Sequence, residues 1–162
     1  MTSRHLLFTI LFFAGVFSSY AQAVGKLEIK ADLSAIAAYD PTIEVSVINM
    51  STNKEMIRKK VNEEFDFAFP LNGRYLLYFK KDGYNTTRII LDTRTFMSGV
   101  YTIKFDLGLD KNVQGGDLAA IPIGTIKFDK ATTNFGYKAS GLLATQSVKV
   151  ISSIRESEVV RF

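Results

Sequence analysis

Phe65-Asp66-Phe67-Ala68-Phe69-Pro70-Leu71-Asn72-Gly73-Arg74-Tyr75-Leu76-Leu77-Tyr78-Phe79-Lys80-Lys81-Asp82-Gly83-Tyr84-Asn85-Thr86-Thr87-Arg88-Ile89-Ile90-Leu91-Asp92 is the stretch that decides the fold. It holds three runs of aromatic, aliphatic and β-branched residues separated by two short loops. Pro70-Leu71-Asn72-Gly73 marks the first loop and Lys81-Asp82-Gly83 the second. Such runs between Gly- and Asn-containing turns read as three consecutive antiparallel strands. Gly73 and Gly83 stand where each turn would call for positive φ, which glycine adopts without steric cost. Tyr75 and Tyr84 are expected to cap the core with their rings. Residues 74–79 are apolar on both faces, the pattern of a central strand or of one covered on its outer side.

Towards the N-terminus, Phe65, Phe67 and Phe69 place three rings on one face. Residues 55–61 give a weaker strand, with Ile57 and Val61 inward and Arg58 and Lys60 outward. Ile43, Val45 and Val47 alternate with Glu44 and Ser46 in another. Residues 26–33 alternate cleanly, Leu27, Ile29, Ala31 and Leu33 against Glu28, Lys30 and Asp32, as a half-buried strand should. An Ala-rich connection over 34–41 has room for one helical turn. Towards the C-terminus, residues 92–99 read as a linker to Tyr101, Ile103, Phe105 and Leu107, which alternate with Thr102, Lys104 and Asp106. Seven strands at hairpin spacing suit a two-sheet sandwich.

Beyond them, residues 108–120 form a polar, Gly-containing loop and residues 122–128 one more strand, with Phe135 and Tyr137 in a short turn. Over 143–159, Ala144, Val148, Ile151 and Val159 fit the apolar stripe of a helix, opposite Lys149, Ser153 and Glu156. The β-branched run Val148-Lys149-Val150-Ile151 argues for a strand. Of the two, a short amphipathic helix is the expectation.

Arg4 and His5 precede an apolar run over 6–17, and Ser19-Tyr20-Ala21-Gln22-Ala23 supplies small residues after it. That order is the order of a secretory signal peptide, with cleavage near Ala21 or Ala23. The run is too short to cross a bilayer core of about 30 Å as a helix, so no transmembrane segment is expected in the mature chain. The expected organisation is a signal peptide over 1–21, a sandwich over 24–107, a polar loop over 108–120, and a C-terminal strand plus helical extension over 121–162. The formal charge is +4, a weak bias. Apart from Arg58-Lys59-Lys60 the basic residues are spread along the chain, so no nucleic-acid partner is expected.

Gly73-Arg74-Tyr75 opens one strand and Lys81-Asp82-Gly83-Tyr84 opens the next. This Gly-x-Tyr followed by Lys-x-Gly-Tyr, with an apolar strand between, resembles the carboxypeptidase regulatory-like family, a transthyretin-like sandwich of secreted and envelope proteins. The resemblance covers residues 26–107. The later Phe128-Asp129 and Phe135-Gly136-Tyr137 are similar to tails of small bacterial envelope proteins that carry this domain. The resemblance implies a mainly β fold, a seven-stranded antiparallel Greek-key, prealbumin-like sandwich with a C-terminal strand and a short amphipathic helix. It also implies a non-catalytic folding, binding or spacer module, exported to the periplasm or cell surface.

The chemistry available points the same way. The chain has no cysteine, and its one histidine, His5, would leave with the signal peptide. Ser-His-Asp and Cys-His catalysis and His- or Cys-bound zinc are then excluded. Adjacent Glu63 and Glu64 would point to opposite faces of a strand, which suits no paired acid–base work. The spacing of Asp106, Asp110 and Asp117 matches no compact calcium loop. No catalytic residue, cofactor or metal ligand is therefore expected.

Binding is expected, and Tyr75, Tyr78, Asp82 and Tyr84 are the candidate surface. One reading is a binding or assembly module with an envelope protein partner. It expects exposed aromatics gathered at one sandwich edge or on the tail as an apolar patch. The other is a carbohydrate-binding or weakly hydrolytic envelope protein, its glycan held in a concave site by those tyrosines and Asp82. The absence of Trp favours the first.

Overall fold

Alternation explains the first strand. In β1 (Lys26–Asp32), Leu27, Ile29 and Ala31 are buried while Lys26, Lys30 and Asp32 are exposed, because successive side chains point to opposite faces of the pleat. The structure, a computed structural model, describes residues 25–34, 42–109, 111 and 122–140, and the backbone alone over 148–154. After β1 come β2 (Ile43–Asn49), β3 (Lys54–Val61), β4 (Glu64–Pro70), β5 (Arg74–Lys80), β6 (Thr87–Asp92) and β7 (Val100–Leu107). They are followed by β8 (Gly124–Asp129), β9 (Asn134–Ala139) and β10 (Val148–Ile154). The strands form two sheets, ordered β10-β7-β1-β4 and β3-β2-β5-β6-β8-β9. Among the described residues no helix is long and apolar enough to cross a membrane.

Within each sheet the odd-numbered strands run one way and the even-numbered strands the other. Neighbours of unlike parity pair antiparallel, as β1 with β4 and β2 with β3 and β5. Two neighbouring pairs have like parity, β1 with β7 and β6 with β8, and both are parallel. This corrects the expectation of a wholly antiparallel sandwich. Each parallel pair forms because the chain crosses to the other sheet, or passes beyond its neighbour, before returning.

The core lies between the inner faces of the sheets. Phe65, Phe69, Phe79, Phe105 and Phe135 are fully buried there. Phe79 stands edge-on to Phe65 at 6.2 Å and to Phe105 at 6.3 Å, the geometry that the ring quadrupole favours. These contacts join β5 of one sheet to β4 and β7 of the other. Truncating such a ring to alanine costs about 3–5 kcal/mol.

Three local expectations are corrected. The left-handed residue of the β4–β5 turn is Asn72, at φ 65°, rather than Gly73. Gly73 is required for space instead, since a Cβ there would run into the ring of Tyr75. Gly83 does adopt positive φ, at 79°. Phe135 and Tyr137, expected in a turn, belong to β9, which pairs with β8 from Gly124↔Ala139 to Asp129↔Asn134. In the tail expected to be helical, residues 148–154 form β10, paired with β7 from Val148↔Leu107 to Ile154↔Tyr101. β7 would otherwise present a bare row of N–H and C=O groups, and the β-branched run supplies the strand that covers it. The expected signal peptide, the connection over 35–41, most of the loop over 108–120, and residues 141–147 and 155–162 lie outside the described residues.

Candidate functional site

Residues an odd number apart on a strand face opposite ways, and this divides the tyrosines of the central hairpin. Tyr75 points into the core, 3% exposed, with its ring 5.0 Å from Phe69. Burial pushes its hydroxyl above the ordinary tyrosine range. Tyr78 lies on the outer face of β5, half-buried, with the Arg88 guanidinium 5.0 Å from its ring centre. Asp82 and Tyr84 sit in the β5–β6 turn, Asp82 exposed and Tyr84 half-buried with Lys81 Nζ 5.3 Å from its ring. The structure therefore does not bring these four onto one exposed surface. Tyr75 belongs to the core, and cationic side chains lie over the rings of Tyr78 and Tyr84.

A different constellation forms at the end of the sandwich where the β2–β3, β4–β5, β6–β7 and β8–β9 connections emerge. Its hub is Thr93, which is wholly buried. The Thr93 N–H donates to the Gly73 carbonyl at 2.9 Å, and the Thr93 carbonyl accepts from Asn72 N–H at 3.0 Å. Its hydroxyl oxygen accepts from Gly73 N–H at 2.9 Å and donates to the Pro70 carbonyl at 2.8 Å. One short side chain thus satisfies backbone groups of the β4–β5 turn that burial would leave costly. The same turn is tied to the chain entry, since Leu71 N–H donates to the Gly25 carbonyl and Lys26 N–H to the Gly99 carbonyl, each at 3.0 Å.

On this base the β6–β7 loop raises an aromatic ring into solvent. The Thr95 hydroxyl oxygen accepts from Met97 N–H at 3.1 Å, closing a tight turn with Phe96 at its apex. Phe96 is 69% exposed and Met97 40%. Below, the Phe96 ring stands edge-on to Phe128 at 5.5 Å, and Phe128 packs on Tyr101 at 5.9 Å and Phe135 at 5.4 Å. A ladder of rings therefore runs from the core to the surface. Lys130 Nζ lies 5.8 Å from the Phe96 ring centre. Asn72, Arg94, Thr95, Phe96, Phe128 and Lys130 line an open hollow of about 430 Å³ beside it.

Asp92 anchors the start of the loop. Arg94 grips it with Nε at 2.8 Å and Nη2 at 2.5 Å, and Arg94 N–H adds a third bond at 3.2 Å. These bonds, Arg94 first, hold the Asp92 carboxyl below its ordinary value of 3.8 against the opposing effect of burial, with the charges of Arg94 and Arg74 helping. Two signals in the sequence mark the site. Phe96 and Met97 are large apolar residues in a linker that needs neither for a strand, and Arg94 follows Asp92 at turn spacing.

A second hollow, of about 270 Å³, lies on the outer face of the four-stranded sheet. Glu64, Asp32 and Asp106 stand side by side across β4, β1 and β7 there. Asp32 accepts from Ser34 N–H at 2.9 Å. No group of three or more ligating side chains positioned to hold a metal ion occurs among the described residues. No protein-family model and no curated protein matches the chain.

Proposed function

We propose that this chain is a non-catalytic β-sandwich module that binds a protein partner at the end marked by Phe96. One observation carries the reading: Phe96 is 69% exposed yet stacked on a ladder of buried rings. Burying such a ring in a partner is worth about 2 kcal/mol. Because the loop beneath is already hydrogen-bonded, little further ordering opposes binding. Met97 extends the patch and Lys130 stands at its border, an aromatic anchor with a polar rim, as in protein interfaces. The family reading is carboxypeptidase regulatory-like. β1–β7 divide three and four between the sheets, with β8, β9 and β10 as additions at their far edges. Export to a bacterial periplasm or cell surface follows from the leader-like order of residues 1–21.

The test is photo-cross-linking in intact cells, with a photoreactive phenylalanine analogue at position 96 and, as control, at exposed Lys138. A discrete protein adduct from position 96 and none from 138 is the expected result. Equal adducts from both positions, or none from 96, would overturn the reading.

A further inference from the structure

The two long sides of the sandwich differ. On one side β9 packs against β10 and β7, so the sheets close on each other. On the other, β3 and β4 end their sheets with no further strand beside them among the described residues. A bare strand edge is a template for pairing, and the two edges differ in charge: β4 presents Glu64 and Asp66, while β3 presents Lys60 and an Arg58 that Glu55 of the same strand holds at 2.6 Å. The register places Arg58 beside Ser46 and Lys60 beside Glu44 on the outer face of β3. It places Asp66 beside Lys30 and Glu64 beside Asp32 on the outer face of β4. All four of these edge residues, Arg58, Lys60, Glu64 and Asp66, are exposed.

We infer that two copies of this chain join side by side, β3 of each pairing with β4 of the other. A two-fold axis along this side, parallel to the strands, makes both contacts at once, as an isologous dimer requires. β3 runs towards the 62–63 turn and β4 away from it, so each new pair is antiparallel. Val61 and Glu64 flank that turn at one level, and rotation about the axis preserves level. Two antiparallel registers next to that level set outward residue against outward residue. One opposes Arg58 to Ala68, and the one that pairs charges twice opposes Lys60 to Glu64 and Arg58 to Asp66. The same register opposes Ile57 to Phe67 on the inner face, where both are only half-buried in a single copy. Of the like pairings, β4 against β4 sets carboxylate near carboxylate.

The test is sedimentation equilibrium of the full chain, expressed with its own N-terminus. The wild-type protein is expected to dimerise. Lys60→Glu and Glu64→Lys are each expected to weaken the dimer tenfold or more, and the double variant to restore it. Phe96→Ala, at the end of the sandwich, should leave it unchanged. A second readout is salt. Raising ionic strength to about 1 M shortens screening to about 3 Å and should weaken the dimer. A wild type that stays monomeric at the highest concentration reached, a dimer indifferent to the single charge reversals or to salt, or a folded double variant that stays monomeric would each overturn the inference.

Discussion

Thr93 shows how much one hydroxyl organises at the end of the sandwich that bears Phe96. Thr93→Val keeps the shape and removes the oxygen that serves Gly73 N–H and the Pro70 carbonyl. The expected loss is about 1–3 kcal/mol, the cost of leaving buried polar groups unpaired, read as a lower urea midpoint with unchanged slope. Phe96 is the opposite case. It contributes one edge contact and much exposed area, so Phe96→Ala should change stability by no more than about 0.5 kcal/mol. At this scale the sequence is legible in part. The opposed faces of Tyr75 and Tyr78 follow from their odd spacing alone, and their grouping as one surface fails on that ground. The hub at Thr93 has no such signature, because its partners lie about 20 residues away and meet it only in the folded chain.

At the scale of elements, the β6–β7 loop and β10 each make a prediction. Asp92 has a carboxyl pKa held below 3.8 in the folded chain. Its contribution is therefore complete above the unfolded value and is lost as pH falls through the folded one. Thermal unfolding of wild type and Asp92→Asn, compared from neutral pH downwards, should show a constant difference at neutral pH that shrinks below about pH 4. The difference should be about 1 kcal/mol or less, because Arg94 is exposed to solvent. A difference that grows on acidification would contradict this origin. For β10, Val150→Pro sets a proline inside the strand, opposite Phe105, where its fixed φ and ring disfavour sheet pairing. Hydrogen exchange should then quicken in β7 while β5 stays protected. The strand is hard to read in sequence because residues 143–159 satisfy a helical stripe and a β-branched run together. The bare edge of β7, a long-range demand, decides between them.

For the whole molecule, the alternation of residues 26–107 makes seven strands legible, since each buries one face and each turn carries its own residues. The additions after residue 107 are less legible. β9 is short, and only Phe135 and Tyr137 mark its apolar face. The parallel pairs are hidden for another reason: adjacency across a sheet depends on where the chain crosses between layers, which local pattern does not encode. Among the described residues the body has one closed side, one side where β3 and β4 end their sheets, and an aromatic platform at one end. The platform and the open edges are separate, so the proposed partner binding and the proposed self-association are expected to respond to different substitutions. Removing the tail would be a poor way to probe function, because it strips β10 from the four-stranded sheet. Point changes on the platform leave the fold intact. The most direct measurement takes the protein captured through position 96 and titrates it calorimetrically against wild type and Phe96→Ala. The account predicts at least tenfold weaker binding by the variant, as for a central aromatic anchor, with the two melting temperatures nearly the same. Equal affinity for both proteins would contradict it.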